Sequence, residues 1–147
     1  MDYRFKLEAL RQYRSFQQEN LQKEMAEAQR VRDREADVLD ELTKLRERTE
    51  QDLKSKQKES ITGPYLAIYN NYLNKLASDI FSQTHKLSDA QKNLETARQA
   101  LLEAMQKCKT LDKLKEKGLK AHMESLNSEE EKFINEMAIN RFSLKQR

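Results

Sequence analysis

The chain has 147 residues, of which 28 are basic and 25 acidic, giving a formal net charge of +3. Charged residues make up 36% and apolar residues 37%, with two glycines, one proline and no tryptophan. This composition excludes a compact core of packed layers and leaves either a disordered polymer or long helices that bury one narrow seam. Because acidic and basic residues are interleaved along the chain, a nucleic-acid-binding face is not predicted.

A first helix is predicted over about residues 3–58. Its apolar residues occupy heptad seam positions at Leu7, Leu10, Leu21, Ala28, Val31, Val38, Leu42 and Leu45. The seam positions between them carry Arg14, Gln17, Glu24 and Glu35. We therefore expect this helix to contribute an irregular, partly charged side of the seam.

A break in the helical pattern is predicted at about residues 59–63. Gly63 suits a helix C-terminus or a turn, and Pro64 suits the first turn of a following helix, where its missing N–H donor has no partner to lose. A connection this short folds two long helices back on each other.

The second helix, over about residues 64–141, carries the most regular signal. Steps of three and four residues give the seam Leu66, Tyr69, Leu73, Leu76, Ile80, Gln83, Leu87, Ala90, Leu94, Ala97, Leu101, Ala104, Cys108 and Leu111. This periodicity excludes the disordered polymer. The predicted fold is all-α, with two long helices forming an antiparallel coiled-coil hairpin as a single domain with a short C-terminal tail.

The pattern changes after Leu111. The apolar residues move to Leu119, Met123, Leu126, Phe133 and Met137. This spacing predicts a four-residue shift of register, which locally unwinds a coiled coil. Lysines dominate residues 107–120 and glutamates dominate residues 124–136. The reversal indicates either a solvated face that pairs with the first helix, or a dipolar surface that orients a charged partner.

Just after the turn, the apolar residues exceed what one partner helix can cover. Tyr65, Ile68 and Tyr72 lie outside the seam. They form either a local cap over the turn or an exposed docking patch, for which aromatic residues are favoured.

No set of residues predicts catalysis, a cofactor or a metal site. His85 and His122 are far apart, no Cys-His spacing suits a metal, and there is no glycine-rich phosphate loop. Cys108 lies at a seam position and is expected to pack as a small apolar residue. A single cysteine, the lack of a signal-peptide pattern and the lack of a membrane-spanning apolar run predict a cytoplasmic protein.

Several segments, in their order along the chain, resemble the flagellar export protein FliJ family. They are FKLEALRQYR at 5–14, LQKEMAEAQ at 21–29, YNNYLNKL at 69–76, KTLDKLKEK at 109–117 and EEKFINEMA at 130–138, followed by Arg141. The chain departs from the family pattern at Asn135, where an aspartate commonly precedes the glutamate.

The resemblance implies a non-catalytic component of the flagellar type III export apparatus, similar in architecture to the stalk of rotary ATPases. The implied partners are the hexameric export ATPase, the cytoplasmic domain of the membrane export gate protein, and export chaperones. The expected ATPase-ring contacts are Arg11, Arg14, Glu130, Lys132, Phe133, Glu136 and Arg141. The expected gate contacts are Tyr69, Tyr72 and Leu76. The chain is expected to be a monomer, or an unpaired hairpin within the ring, that reaches the cell membrane only peripherally through the apparatus.

Three alternatives remain open at this point. The stalk protein of an injectisome type III secretion system would share these features. A coiled-coil tether without an ATPase partner predicts a symmetric homo-oligomer. A prefoldin-like chaperone requires exposed apolar residues at both free ends.

Overall fold

The computed structural model describes residues 2–145, which form two α-helices, α1 (Glu8–Glu59) and α2 (Gly63–Lys145), and no strand. The chain divides into two compact units. Unit 1 comprises the described parts of residues 1–19 and 103–147, and unit 2 comprises residues 20–102.

The two helices are antiparallel in each unit. In unit 1, Glu8 of α1 contacts Lys115 of α2, and Arg11, one turn later, contacts Asp112, one turn earlier. In unit 2, residue 35 contacts residue 83 and residue 52 contacts residue 69. The partner's number falls as the α1 number rises. The predicted all-α antiparallel hairpin is confirmed.

The turn connects Glu59, the last residue of α1, to Gly63, the first residue of α2. The residue with a left-handed backbone conformation in it is Ser60, with φ of 83°. Its amide donates to the carbonyl of Gln57 at 3.4 Å. The carbonyl of Thr62 accepts from the amide of Leu66 at 3.0 Å. The carbonyl of Thr62 is therefore the first acceptor of the α2 hydrogen-bond ladder. Pro64 lies in the first turn of α2, where a backbone N–H would have no helical partner, so its lack of an N–H is not destabilising.

The predicted seam of α2 is the shielded side of that helix, since every residue named for it is buried or half-buried. The buried apolar residues are Leu76, Ala90, Leu94, Ala104 and Leu111. In α1, by contrast, no residue is fully buried. Two helices alone shield only one narrow stripe, and the small alanines of α2 allow the helix backbones to approach.

One polar residue lies within this seam. The Gln83 side chain is 6% exposed, and its Nε2 donates to the backbone carbonyl of Glu35 at 3.0 Å and also to the Glu35 carboxylate. A buried polar contact of this kind fixes the axial register of two helices, because sliding either helix leaves the amide without a partner.

The α1 side of the seam is displaced from the predicted one in two places. Met25 and Leu39 are half-buried, whereas Glu24 and Val38, the predicted seam residues, are exposed. Leu7 and Leu10 are likewise exposed, at 42% and 38%. α1 begins at Glu8 rather than near residue 3, and Tyr3, in the non-helical segment before it, packs against α2.

The predicted shift of register after Leu111 is not observed. The half-buried residues of α2 continue in the same steps through Lys115, Gly118 and His122, while Leu119 and Met123 are exposed. Both of these apolar residues lie beside the seam and not in it.

The Tyr3 ring explains why a glycine continues the seam. A Cβ built on Gly118 would overlap the Tyr3 hydroxyl and would lie 3.0 Å from its Cζ. The ring also stacks at a tilt on His122, with the centroids 5.6 Å apart. Tyr3 thus takes the place of a helical partner at this level, and Gly118 leaves room for it.

We predict that the effect of Gly118→Ala on stability depends on Tyr3. Alanine favours a helix interior by about 1 kcal/mol over glycine. With Tyr3 present, that gain is offset because the new methyl displaces the ring, whose packing is worth a similar amount. In a Tyr3→Ala background the full gain should be seen in urea unfolding. Equal gains in the two backgrounds would contradict the contact, and Tyr3→Phe, lacking the closest atom, should give an intermediate gain.

Candidate partner-binding surfaces

The described residues offer no site for metal or thiol chemistry. No group of three or more histidine, cysteine, aspartate or glutamate side chains in residues 2–145 is placed to hold a metal ion. Cys108 is half-buried, and burial raises the pKa of its thiol. A thiol with a raised pKa is protonated at neutral pH and is a poor nucleophile.

A chain of four charges joins the helices near the start of α1. The Arg11 guanidinium donates to Asp112 at 2.8 Å and to Glu8 at 3.0 Å, and Lys115 donates to Glu8 at 3.1 Å. The hydrogen bond from Lys115 lowers the pKa of Glu8, and the one to Asp112 raises the pKa of Arg11. These groups are partly exposed, so each pair contributes little stability. Arg11, a predicted ring contact, therefore already has two ion-pair partners within the chain, Glu8 and Asp112.

Arg14 is also held within unit 1. It is half-buried and donates to the Gln17 side chain at 3.1 Å. With Leu10 it borders a shallow groove whose other side is α2, at Gln106 and Thr110. The structure thus places both predicted arginines of α1 beside the seam, where they have limited freedom to reach a partner.

The C-terminal extension, which we define as residues 123–145, has no such constraint. Every residue in it is helical and exposed, because within unit 1 the residues of α1 and its preceding segment face α2 only up to His122. It contains the remaining predicted ring contacts, Glu130, Lys132, Phe133, Glu136 and Arg141. The structure therefore separates the seven predicted ring residues into two held beside the seam and five on an open helix.

One side of this extension is apolar. At about 100° per residue, its apolar stripe falls within an arc of about 100°. The members of this stripe are Met123, Leu126, Phe133, Ile134, Met137 and Leu144, all between 37% and 69% exposed. Shallow hollows lie along it, one lined by Leu126, Glu130 and Phe133 and another by Ile134, Met137 and Arg141. Leu144 was missed from the sequence because the helix was predicted to end near Arg141, although it lies seven residues after Met137.

The second surface is in unit 2, just after the turn. The turn patch, which we define as Tyr65, Ile68 and Tyr72, has exposed fractions of 62%, 63% and 39%. Of the two readings left open by the sequence, an exposed patch is the one observed. Large apolar side chains exposed together mark a protein-binding surface.

The three predicted gate residues have different environments. Tyr72 belongs to the turn patch, whereas Leu76 is 3% exposed and lies in the seam. Tyr69 is half-buried, its hydroxyl donates to Asp52 at 2.7 Å, and the Lys56 ammonium lies 5.4 Å from its ring centroid. Of the three predicted gate residues, only Tyr72 is therefore exposed, while Tyr69 contacts α1 and Leu76 is buried in the seam.

Neither described helix contains a stretch that is long and apolar enough to cross a membrane.

Comparison with known proteins gives one match. The model of a family described as the flagellar FliJ protein matches residues 3–147, essentially the whole chain. No curated protein and no solved structure matches the chain. The matched range contains all five of the sequence segments that resemble this family. The chain belongs to the flagellar FliJ family, and its role is accordingly related to flagellar protein export.

Proposed function

We propose that the chain is a non-catalytic stalk and adaptor of the flagellar type III export apparatus. It binds the hexameric export ATPase through the C-terminal extension and the export gate through the turn patch. The observation that carries this proposal is the extension itself, a helix with an apolar stripe that no other described part of unit 1 covers. The family match favours the flagellar apparatus over an injectisome.

The extension suits a ring of identical subunits because its sides differ. Phe133 and Met137 present an apolar surface, Lys132 and Ile139 lie on the other side of the helix, and Glu136 lies on a flank. A ring subunit therefore meets a different chemistry according to its position around the helix. Binding energy at such an interface is expected to come from the large apolar side chains, with the charges selecting orientation.

The turn patch supplies a second contact without involving the first. Tyr72 and Ile68 are one turn apart on the same side of α2, and both are exposed. We propose that the gate's cytoplasmic domain covers this pair, and that export chaperones bind the same protein while it is on the apparatus. The chain would then be cytoplasmic and reach the membrane only through the gate.

The ATPase contact is tested with truncations on the stripe. We expect the wild-type chain to promote assembly and hydrolysis by the cognate export ATPase. Phe133→Ala combined with Met137→Ala should raise the concentration needed for half-maximal stimulation by at least about tenfold, since buried anchors each contribute about 1–2 kcal/mol or more. Ile139→Ala, which removes an equally exposed apolar side chain from the other side of the helix, is the matched control. No stimulation by the wild-type chain would refute the proposal.

The gate contact is tested with the turn patch. Tyr72→Ala combined with Ile68→Ala should weaken binding to the purified cytoplasmic domain of the gate protein by about tenfold or more in calorimetry. Phe81 is also exposed, at 69%, but contacts His85 on a different side of α2. Phe81→Ala is therefore the control and should bind as the wild type does. Equal losses in the two variants would exclude the turn patch as the gate site.

A further inference from the structure

The apolar stripe of the C-terminal extension is interrupted by two charges of opposite sign. Glu130 and Arg141 lie within the same arc as Phe133, Ile134 and Met137. No ion pair among the described residues includes either of them. Both charges thus stand in the middle of an apolar surface without an opposite charge beside them.

We propose that two copies of the free chain associate through their C-terminal extensions, packed antiparallel about a two-fold axis near Asn135 and Glu136. The occupant of the stripe is then a second copy of the same stripe. This inference goes beyond the proposed function, because it concerns the chain when it is not in the ATPase ring.

The antiparallel register follows from the positions of the stripe residues. With the two-fold axis between Asn135 and Glu136, Met137 of one copy lies opposite Ile134 and next to Phe133 of the other, and Leu126 lies within one residue of the position opposite Leu144. Between Leu126 and Leu144, each apolar residue of the stripe therefore lies within one residue of the position opposite another apolar residue, whereas Met123 lies outside the paired stretch. Such an isologous contact closes at two copies, since each copy uses the same surface.

The same register brings the two charges together. Glu130 of each copy lies opposite Arg141 of the other, which makes two symmetric pairs at the edges of the apolar centre. A parallel, in-register pair would instead place Glu130 opposite Glu130 and Arg141 opposite Arg141. Complementary charges of this kind decide orientation and register in helix pairs.

The wider charge distribution favours the same orientation. Residues 123–134 carry four glutamates, at 124 and 129–131, and Lys132, so their net charge is 1 − 4 = −3, whereas residues 135–145 carry Glu136, Arg141 and Lys145, so their net charge is 2 − 1 = +1. Antiparallel packing places the acidic half of one copy beside the basic half of the other. The paired stretch from Leu126 to Leu144 also spans roughly 27 Å of helix, which accommodates several apolar layers between the two copies.

Self-association and ATPase binding would use one surface and exclude each other. A chain released from the ring would cover its apolar stripe with a second copy, and the ring would compete for it. The wild-type chain in the ring remains an unpaired hairpin.

Charge exchange tests both the pairing and its orientation. We expect sedimentation of the wild-type full chain, from about 1 to about 100 µM, to show a monomer–dimer equilibrium. Glu130→Arg alone, or Arg141→Glu alone, should raise the dimer dissociation constant by roughly tenfold, because two attractive pairs become repulsive. The double variant E130R/R141E should restore the wild-type constant. Mixing the two single variants should give a heterodimer.

Phe133→Ala and Ile139→Ala form the matched apolar pair, and only the former should weaken the dimer. Circular dichroism checks that each variant remains helical.

A wild-type chain that is monomeric over the whole concentration range overturns the inference. If that monomeric chain still stimulates the ATPase, the stripe binds the ring alone. Single charge variants that dimerise as the wild type does, or a double variant that fails to recover, exclude the antiparallel register. Equal losses for Phe133→Ala and Ile139→Ala exclude the stripe as the interface.

Discussion

The structure depends on one constraint: a single helix can shield only one narrow stripe of another. α2 places small and branched apolar residues such as Ala90 and Leu94 on that stripe, and they are the residues that become buried. Everything else on the two helices remains partly exposed, and no α1 residue is fully buried. Apolar side chains in excess of the stripe therefore cannot be explained by the helix pair, and we propose that other molecules cover them.

The regularity of the seam explains how much was predictable from sequence. Six heptads of period-3.5 pattern identify α2 and its shielded residues, including polar Gln83. The seam residues of α1 were less predictable. Charged residues such as Glu35 interrupt the heptad pattern of α1, so the pattern does not show whether Val38 or its neighbour Leu39 faces α2. The packing of Tyr3 over Gly118 is non-local and leaves no periodic signal. The left-handed conformation of Ser60 in the turn was not predicted, because nothing in its residue type marks it for a positive φ.

For the apolar surfaces, both position and exposure were predictable. The seam pattern includes Leu76 and leaves Tyr72 outside, and in the structure Leu76 is 3% exposed and Tyr72 is 39% exposed. The environments of the charged residues were not predictable, because in the sequence Arg11 and Arg141 both suit a charged partner. Arg11 is engaged by Asp112 and Glu8, and Arg141 lies on the open extension. The family match gives the biological context, and the exposed residues indicate which parts of the chain are available for it.

Hydrogen exchange of the chain, at a concentration where it is monomeric and then with the export ATPase, tests this account most directly. Amides of residues 66–111, which the seam holds, should exchange slowly in both states. Amides of residues 124–145 should exchange quickly in the monomer and become protected only when the ATPase is bound. An extension as protected as the seam in the monomer, or one still unprotected in the complex, would contradict the claim that this helix is the open, partner-binding part of the molecule.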